Sequence, residues 1–242
     1  MRYKCTCMYD GSHYHGFQTQ DNVMSIQEEI ERVLFIIHKK RIYIHSSGRT
    51  DAGVHAIGQV FHFDSDIDMG EWNMQNAINS RLNKAIYIVQ VEKVSDSFHS
   101  RYDAVSKEYH YLIDFGSFIP MNRNYRYYCR FKNVDIDKFK DALKIFVGEH
   151  DFRSYSKNRD KENTVRTIYS IDFEEAGSLL KIKIVGNGFL RHQIRILLGM
   201  ALEVGRGKLS SEDLKLIMEA RNRGLAPKIV PPNGLYLFKV NY

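Results

Sequence analysis

Residues 48–56 read Gly-Arg-Thr-Asp-Ala-Gly-Val-His-Ala, and the rest of the chain is organised around them. The flanking segments, residues 42–45 and 60–63, are β-branched or aromatic and predict two strands. Glycines supply backbone angles that other residues rarely adopt, so we expect a polar loop of fixed shape between the strands. Catalytic groups often lie on such loops, which makes Asp51 the candidate catalytic residue. The alternative is a hairpin turn in which the aspartate bonds only its own backbone.

The overall composition is that of a soluble globular protein. The chain has 242 residues, of which 43% are hydrophobic and 26% are charged, so it can bury one large core or two smaller ones. Lys and Arg number 35 against 29 Asp and Glu, which gives a net charge of +6. This excess favours a polyanionic partner without naming it.

Aromatic residues are frequent, and one segment interleaves them with arginine. The chain has 15 Tyr and 14 Phe, and residues 122–130 read Asn-Arg-Asn-Tyr-Arg-Tyr-Tyr-Cys-Arg. Single-stranded RNA is bound by rings that stack on bases and by cations that contact phosphates. The segment therefore predicts either an RNA contact or an edge strand with a cationic face.

The three cysteines predict a compartment rather than a site. Cys5, Cys7 and Cys129 are odd in number and lack a disulfide-like spacing, so a reducing compartment, the cytoplasm, is expected. Cys5 and Cys7 with His13 and His15 are an alternative metal site, but a C-x-C on a strand followed by a turn lacks the spacing of a zinc knuckle, so no metal is expected. No apolar run approaches the roughly 18 residues of a membrane-spanning helix, and the N-terminus lacks a signal-peptide core, so no membrane association is expected.

The first half predicts the order strand, helix, strand, strand, helix, strand. The predicted strands are residues 2–9, 42–45, 60–63 and 86–91, and the predicted helices begin after Ser25, in a capping-box pattern, and near Glu71. This order is typical of an antiparallel α+β layer of the ferredoxin or RNA-recognition (RRM) kind.

The second half repeats the theme. Its predicted elements are a strand at residues 109–113, a helix at 135–147, a hairpin of residues 164–173 and 180–184, helices at 189–204 and 211–221, and a strand at 235–240. Alternate residues from Val165 to Phe173 are expected to share one face of the hairpin. We therefore expect two ferredoxin- or RRM-like α+β subdomains, residues 1–104 with the Asp51 loop and residues 105–242. Their antiparallel sheets are expected to join across a central RNA-binding cleft.

The predicted helix at 189–204 is apolar around most of its circumference, so burial nearly all round is expected. Two arginines on it then need partners, because an unpaired buried guanidinium costs several kcal/mol. Asp51 is the candidate partner of Arg195. The alternative is that the side chains reach water at the helix edge, which is favoured for Arg191 but not for Arg195.

The string from Gly48 to His55 resembles the signature of the TruA family of tRNA pseudouridine synthases, and other segments are similar to further motifs of that family. These segments are residues 9–12, 16–20, 98–102, 107–109, 187–195, 203–205 and 234–237. The resemblance covers the whole chain. The chain departs from the family at residues 81–85, where Leu-Pro and an acidic residue are usual, and at Phe17, where Trp is common.

The resemblance implies that uridine is isomerised to pseudouridine at positions 38 to 40 of the tRNA anticodon arm. It implies no cofactor and no metal, and a homodimer whose two chains share one tRNA. By resemblance Asp51 is the catalytic carboxylate, Tyr109 stacks on the uracil, Arg49 fills the gap left by the extruded uridine, and Arg195 pairs with Asp51. Attack at C1′, attack at C6 and removal of a sugar proton all stay open as the role of Asp51.

Two other classes of function compete with this hypothesis. One is a non-catalytic RNA-binding protein with a duplicated RRM-like fold, which would tolerate Asp51→Ala, whereas an isomerase would not. The other is a carboxylate-based hydrolase, which would need a second acid near Asp51. Asp10 is the only attractive candidate for that acid, and its setting in Tyr-Asp-Gly-Ser is typical of a turn.

Overall fold

The computed structural model describes residues 1–157 and 163–242. The chain forms two compact units, one of Met1–Lys107 with Tyr236–Tyr242 and the other of Glu108–Leu235. Both units mix helices with strands, and the predicted α+β class is confirmed. The boundary falls three residues after the expected one, and the last strand, expected in the second half, belongs to the first unit. The joining of two sheets across a cleft stays a prediction.

The described residues contain ten strands and five α-helices. The strands are β1 (Arg2–Tyr9), β2 (His45–Ser46), β3 (His55–Asp64), β4 (Ile86–Val94), β5 (Ser106–Asp114), β6 (Tyr127–Tyr128), β7 (Gly148–Asp151), β8 (Val165–Ala176), β9 (Leu179–Gly186) and β10 (Leu235–Asn241). The helices are α1 (Ile26–His38), α2 (Glu71–Asn79), α3 (Ile136–Lys144), α4 (Gln193–Gly205) and α5 (Ser211–Glu219).

The first unit is built on β1, which lies between β3 and β4 and is antiparallel to both. Its side chains alternate between buried and half-buried, so one face carries the core residues Tyr3, Cys5, Cys7 and Tyr9. Helix α1 begins at an N-cap, where Ser25 Oγ accepts from the Glu28 N–H at 3.2 Å, as its sequence predicts. The predicted order of strands and helices in this half is confirmed.

The segment before the loop differs from its prediction. Only His45 and Ser46 pair with β3, and residues 42–44 form no strand. Ile42 and Ile44 are buried and Tyr43 is exposed, but the Ile44 N–H donates to Glu31 Oε1 of α1 at 3.1 Å. The alternating pattern predicted burial correctly, and the backbone satisfies its hydrogen bonds with a side chain instead of a second strand.

The last strand, β10, runs parallel to β3, with Tyr236 opposite His55 and Leu237 opposite Ala56. The sheet of the first unit is therefore mixed, whereas antiparallel pairing was expected. A parallel neighbour needs a long connection rather than a hairpin. The connection from β3 to β10 is residues 65–234, which contain α2 and β4 of the first unit and then nearly all of the second unit, Glu108–Leu235.

In the second unit the strand order is β5, β9, β8, β7, with β6 parallel to β5. The predicted hairpin is formed by β8 and β9, but the prediction that alternate residues of β8 share one face is wrong. Ile168 pairs with Gly186 and Ser170 with Val185, so one extra residue sits in β8 at this point. Beyond such a bulge, each side chain points to the face opposite to the one that strict alternation predicts. Ile168 and Ile171 are therefore both buried, while Tyr169 is 52% exposed.

Helix α4 is buried along its whole length except at Arg195, which confirms the expected burial. It begins at Gln193, four residues later than predicted, because His192 adopts a left-handed conformation with φ of +63°. Arg191 consequently lies outside the helix and is exposed. No helix among the described residues is long and apolar enough to cross a membrane.

Three histidine rings pack together near the C-terminal end of β3, where His62 stacks on His45 and lies edge-on to His99. The ring of His62 lies 5.0 Å from that of His45 and 4.8 Å from that of His99, measured between centroids. The Ser100 N–H donates to His62 Nδ1 at 3.2 Å, so this nitrogen acts as an acceptor. Burial, reinforced by the charge of Arg2, lowers the pKa of His62 from 6.5 to about 4.

The stability of the protein should therefore fall in acid. Between pH 6.5 and about 4 the unfolded chain binds a proton at His62 that the folded chain does not, so the free energy of unfolding decreases as pH falls, by up to about 1.4 kcal/mol per pH unit. His62→Asn keeps an acceptor for Ser100 and cannot titrate. Its free energy of unfolding, measured with urea at each pH, should therefore fall less steeply as the pH is lowered. His15→Asn, at an exposed position, is the matched control and should keep the slope of the parent protein. If the free energy of unfolding depended equally on pH in all three proteins, His62 would not be the group responsible.

Candidate active site

The loop that carries Asp51 is held at its start by a buried glutamine. Gln59 Oε1 accepts from Ser47 Oγ at 2.7 Å, and Gln59 Nε2 donates to the Gly48 carbonyl at 2.9 Å. The Ser47 N–H donates to the Val60 carbonyl at 2.7 Å, and Lys107 Nζ donates to the Ser47 carbonyl at 2.6 Å. The hydroxyl, N–H and carbonyl of Ser47 are thus all hydrogen-bonded, which fixes the backbone at the start of the loop.

The residue before the aspartate is anchored from two distant segments. Thr50 is buried, and its Oγ1 shares a hydrogen bond of 2.7 Å with the hydroxyl of Tyr9. Its carbonyl accepts from the Phe17 N–H at 3.2 Å. Gly16, at φ +98°, allows this approach, because a Cβ there would lie 2.8 Å from the Thr50 oxygen.

Asp51 itself opens a tight turn. Its carbonyl accepts from the Val54 N–H at 3.1 Å, and Gly53 within the turn has φ of +76°. Asp51 is half-buried and Arg49 is exposed. The loop does connect two antiparallel strands, as the hairpin alternative expected, but its shape is imposed by residues far away in the sequence.

The end of the loop is fixed against the turn that follows β1. A Cβ on Gly11 would lie 2.0 Å from the Val54 carbonyl oxygen, so only glycine fits at this contact. The Gly11 N–H donates to His55 Nδ1 at 3.1 Å, and the His55 ring is buried and stacks on Tyr236 of β10 at 4.7 Å. Gly11, near the start of the chain, and Tyr236, near its end, therefore pack against Val54 and His55.

Asp10, the acid that a hydrolase would need, has a structural role. Its Oδ1 accepts from the Ser12 N–H at 2.9 Å and from Ser12 Oγ at 2.6 Å, and lies 3.3 Å from His55 Nδ1. This is the N-cap of a short 3₁₀ turn, Gly11–His13, as the turn-like sequence predicted.

The other two predicted site residues lie in the second unit. Tyr109 is on β5 and only 8% exposed, with Phe189 edge-on to its ring at 5.2 Å. Arg195 is on α4, and its Nε donates to the Val230 carbonyl at 3.0 Å. Asp51 and Arg49 belong to the first unit, so the pairing of Asp51 with Arg195 and the grouping of Asp51 with Tyr109 stay predictions.

The residues that shape the loop carried no role in the sequence analysis. They are Tyr9, Gly11, Gly16, Phe17, His55, Gln59 and Lys107. Several fall in the motifs that support the family resemblance, which is the one signal that could have found them. Within residues 1–157 and 163–242 no group of three or more His, Cys, Asp or Glu side chains is placed to hold a metal ion.

A family model described as tRNA pseudouridine synthase matches residues 6–103 and 142–242. The chain belongs to the tRNA pseudouridine synthase family. The loop that holds Asp51 and Arg49 falls in the first matched part, and Arg195 falls in the second. Tyr109 lies between the two parts.

Full-length relatives agree with this membership of the tRNA pseudouridine synthase family. The "tRNA pseudouridine synthase A 1" of Bacillus cereus is 42% identical over 244 residues, covering 100% of this chain and 98% of the relative. The "tRNA pseudouridine synthase A" of Listeria monocytogenes is 44% identical over 246 residues, covering 100% and 99%. The family resemblance and the isomerase class predicted from the sequence are confirmed.

A weaker likeness exists to a solved structure, "Crystal Structure of a Cbf5-Nop10-Gar1 Complex". It has 14% identity and a TM-score of 0.36, and covers 82% of this chain and 54% of that chain. Nothing about this tRNA pseudouridine synthase follows from a likeness at that level.

Proposed function

We propose that this tRNA pseudouridine synthase isomerises uridine at positions 38 to 40 of the anticodon arm, with Asp51 as the catalytic carboxylate. The observation that carries the proposal is the anchoring of Thr50 by the Tyr9 hydroxyl and the Phe17 N–H. These bonds fix the backbone that bears Asp51 before any substrate arrives. A preorganised group avoids reorganisation during the reaction, and small displacements of such groups are costly to rate.

The reaction asks for little besides a positioned carboxylate. The bond between uracil N1 and ribose C1′ breaks, the base turns, and C5 bonds to C1′. The proton leaves C5 and N1 gains one, so no net oxidation occurs and no group is lost. An aspartate can serve by attacking C1′ or C6 or by removing a sugar proton.

The remaining roles concern the extruded uridine. Taking a base out of a stem costs a few kcal/mol, and stacking on an aromatic ring returns about 1 to 3 kcal/mol. We assign the stacking role to Tyr109 and the filling of the vacated place to Arg49, which is exposed two positions before Asp51 in the loop. Arg195 is assigned as the cationic partner of the Asp51 carboxylate.

Assembly and compartment extend the same proposal. We infer a homodimer whose two chains share one tRNA, on the family resemblance. A cytoplasmic location is supported by three free and buried cysteines, Cys5, Cys7 and Cys129. Burial raises the pKa of the Cys5 and Cys7 thiols, which keeps them unreactive.

The test is conversion of an undermodified tRNA by the purified protein, with a chelator present and no nucleotide added. Carbodiimide treatment followed by primer extension maps each pseudouridine, and release of label from C5-tritiated uridine gives the rate. We expect new pseudouridine confined to positions 38 to 40. Conversion at other positions would refute the proposed target, and no conversion at all would refute the proposed function.

A further inference from the structure

A second concentration of positive charge lies outside the loop region, in the second unit. Residues 115–133 contain Arg123, Arg126, Arg130 and Lys132 and no Asp or Glu, so this basic segment carries +4 of a chain whose net charge is +6. It falls in residues 104–141, between the two parts that the family model matches. The proposed reaction assigns no role to any of its side chains.

The basic segment has a fixed course in the second unit. A 3₁₀ turn, Pro120–Asn122, is followed by β6, which pairs in parallel with β5. Asn233 Nδ2 donates to the carbonyls of Arg123 and Arg126 at 2.6 and 2.8 Å. A segment anchored in this way loses less conformational entropy on binding than a loose loop does.

Three of the four cations are available to an anion. Arg126 is paired with Asp114 at 3.0 Å. Arg123, Arg130 and Lys132 are exposed, and in the part of the chain that the structure describes none of them forms an ion pair with a carboxylate. Arg123 only donates to the Pro120 carbonyl, at 3.1 Å.

Exposed rings lie among these cations. Phe118 is 54% exposed and Phe131 is 40% exposed, unusually high values for phenylalanine. The guanidinium of Arg206 lies 3.7 Å from the centroid of the Phe131 ring, which holds that ring in place. Phe118 is held edge-on to Tyr128 at 5.1 Å.

We propose that the basic segment is an RNA-contacting surface that takes unpaired nucleotides of the substrate tRNA, bases on Phe118 and Phe131 and phosphates on Arg123, Arg130 and Lys132. Fixed rings beside unpaired cations are the features that bind single-stranded RNA. A second copy of this chain is disfavoured as the occupant, because a two-fold contact would bring like charges together. The identity of the RNA rests on the proposed function; the surface itself rests on its own residues.

The charge test uses the triple variant Arg123→Gln, Arg130→Gln and Lys132→Gln. Affinity for undermodified tRNA is measured by filter binding across a range of salt concentrations. Three lost phosphate contacts should reduce the slope of log K against log salt by about 2 and weaken binding by at least about tenfold at low salt. The single-turnover rate at saturating tRNA should stay within about twofold of the parent rate, because no reacting group is removed.

A matched control removes the same charge from the same unit. Lys138→Gln, Lys144→Gln and Lys215→Gln change three exposed lysines that already pair with Asp135, Asp141 and Glu212. This control should keep the parent slope. Phe131→Leu should weaken binding by at least about fivefold without changing the slope, since it removes a stacking ring and no charge.

Three results would overturn the proposal. One is an equal reduction of the slope of log K against log salt in the triple variant and in the triple-lysine control. Another is a change of molecular mass in sedimentation with tRNA affinity unaltered, which would assign the surface to contact between copies. The third is a large fall in the rate at saturating tRNA. Failure of the proposed function gives a different pattern, in which the parent protein makes no pseudouridine while the slope difference persists.

Discussion

Asp51→Asn is expected to lower the single-turnover rate of pseudouridine formation by more than about 10³-fold. Asparagine has the same shape and no negative charge, and it can neither attack a carbon nor accept a proton as a carboxylate does. The turn is kept by the Asp51 carbonyl, which accepts from Val54 through the backbone, so the fold should be unaffected. Affinity for tRNA should be equal or slightly higher, because a charge that repels phosphate is removed.

The control for this variant is Asp21→Asn, which makes the same change of charge at an exposed position of the first unit. Its rate should equal that of the parent protein. If Asp51→Asn kept more than a tenth of the parent rate, the catalytic role of Asp51 would be contradicted. The alternative of a non-catalytic RNA-binding protein would then be favoured.

Gly11→Ala is expected to reduce the single-turnover rate by about 10²-fold with Asp51 still present. The added Cβ would lie 2.0 Å from the Val54 oxygen, so the turn after β1 and the end of the loop must move apart. A displacement of about 1 Å at a catalytic group costs a factor of this size. The overpacked contact should also lower the free energy of unfolding by about 1 to 3 kcal/mol.

Gly70→Ala separates these two effects. Gly70 has φ of +79°, so alanine strains the backbone there, but nothing lies within 4 Å of the added Cβ. This variant should lose stability and keep its rate, measured at a temperature where both variants are fully folded. A parent-like rate for Gly11→Ala under those conditions would show that the contact with Val54 does not position Asp51.

Local patterns in the sequence predicted most elements because each pattern reports a local property. The alternation in residues 2–9 predicts β1, and the Ser25 cap and apolar stripe predict α1. The same patterns predict the wrong structure where backbone hydrogen bonds go to side chains or where the register of a strand shifts. Residues 42–44 alternate as a strand would, yet the Ile44 N–H bonds to the Glu31 side chain. Alternation across β8 cannot show the extra residue between Ile168 and Ser170.

The sequence motif predicted the candidate loop, but it could not predict the contacts that hold the loop in place. Nothing in the spacing of Phe17 and Thr50 shows that the N–H of one meets the carbonyl of the other. Gly11 and Gly16 read as ordinary turn glycines, and only the structure shows which backbone each one touches. Contacts between residues distant in sequence are fixed by tertiary packing, which a single sequence does not encode at short range.

The return of β10 to the side of β3 affects how the protein is made. Residues 1–107 leave the ribosome long before Tyr236 does, since the whole second unit is translated in between. During that interval the strand that begins at His55 lacks the neighbour that will cover it, and open strand edges are prone to unwanted pairing. The stacking of His55 on Tyr236, at the end of the loop, can therefore form only after the whole second unit has been translated.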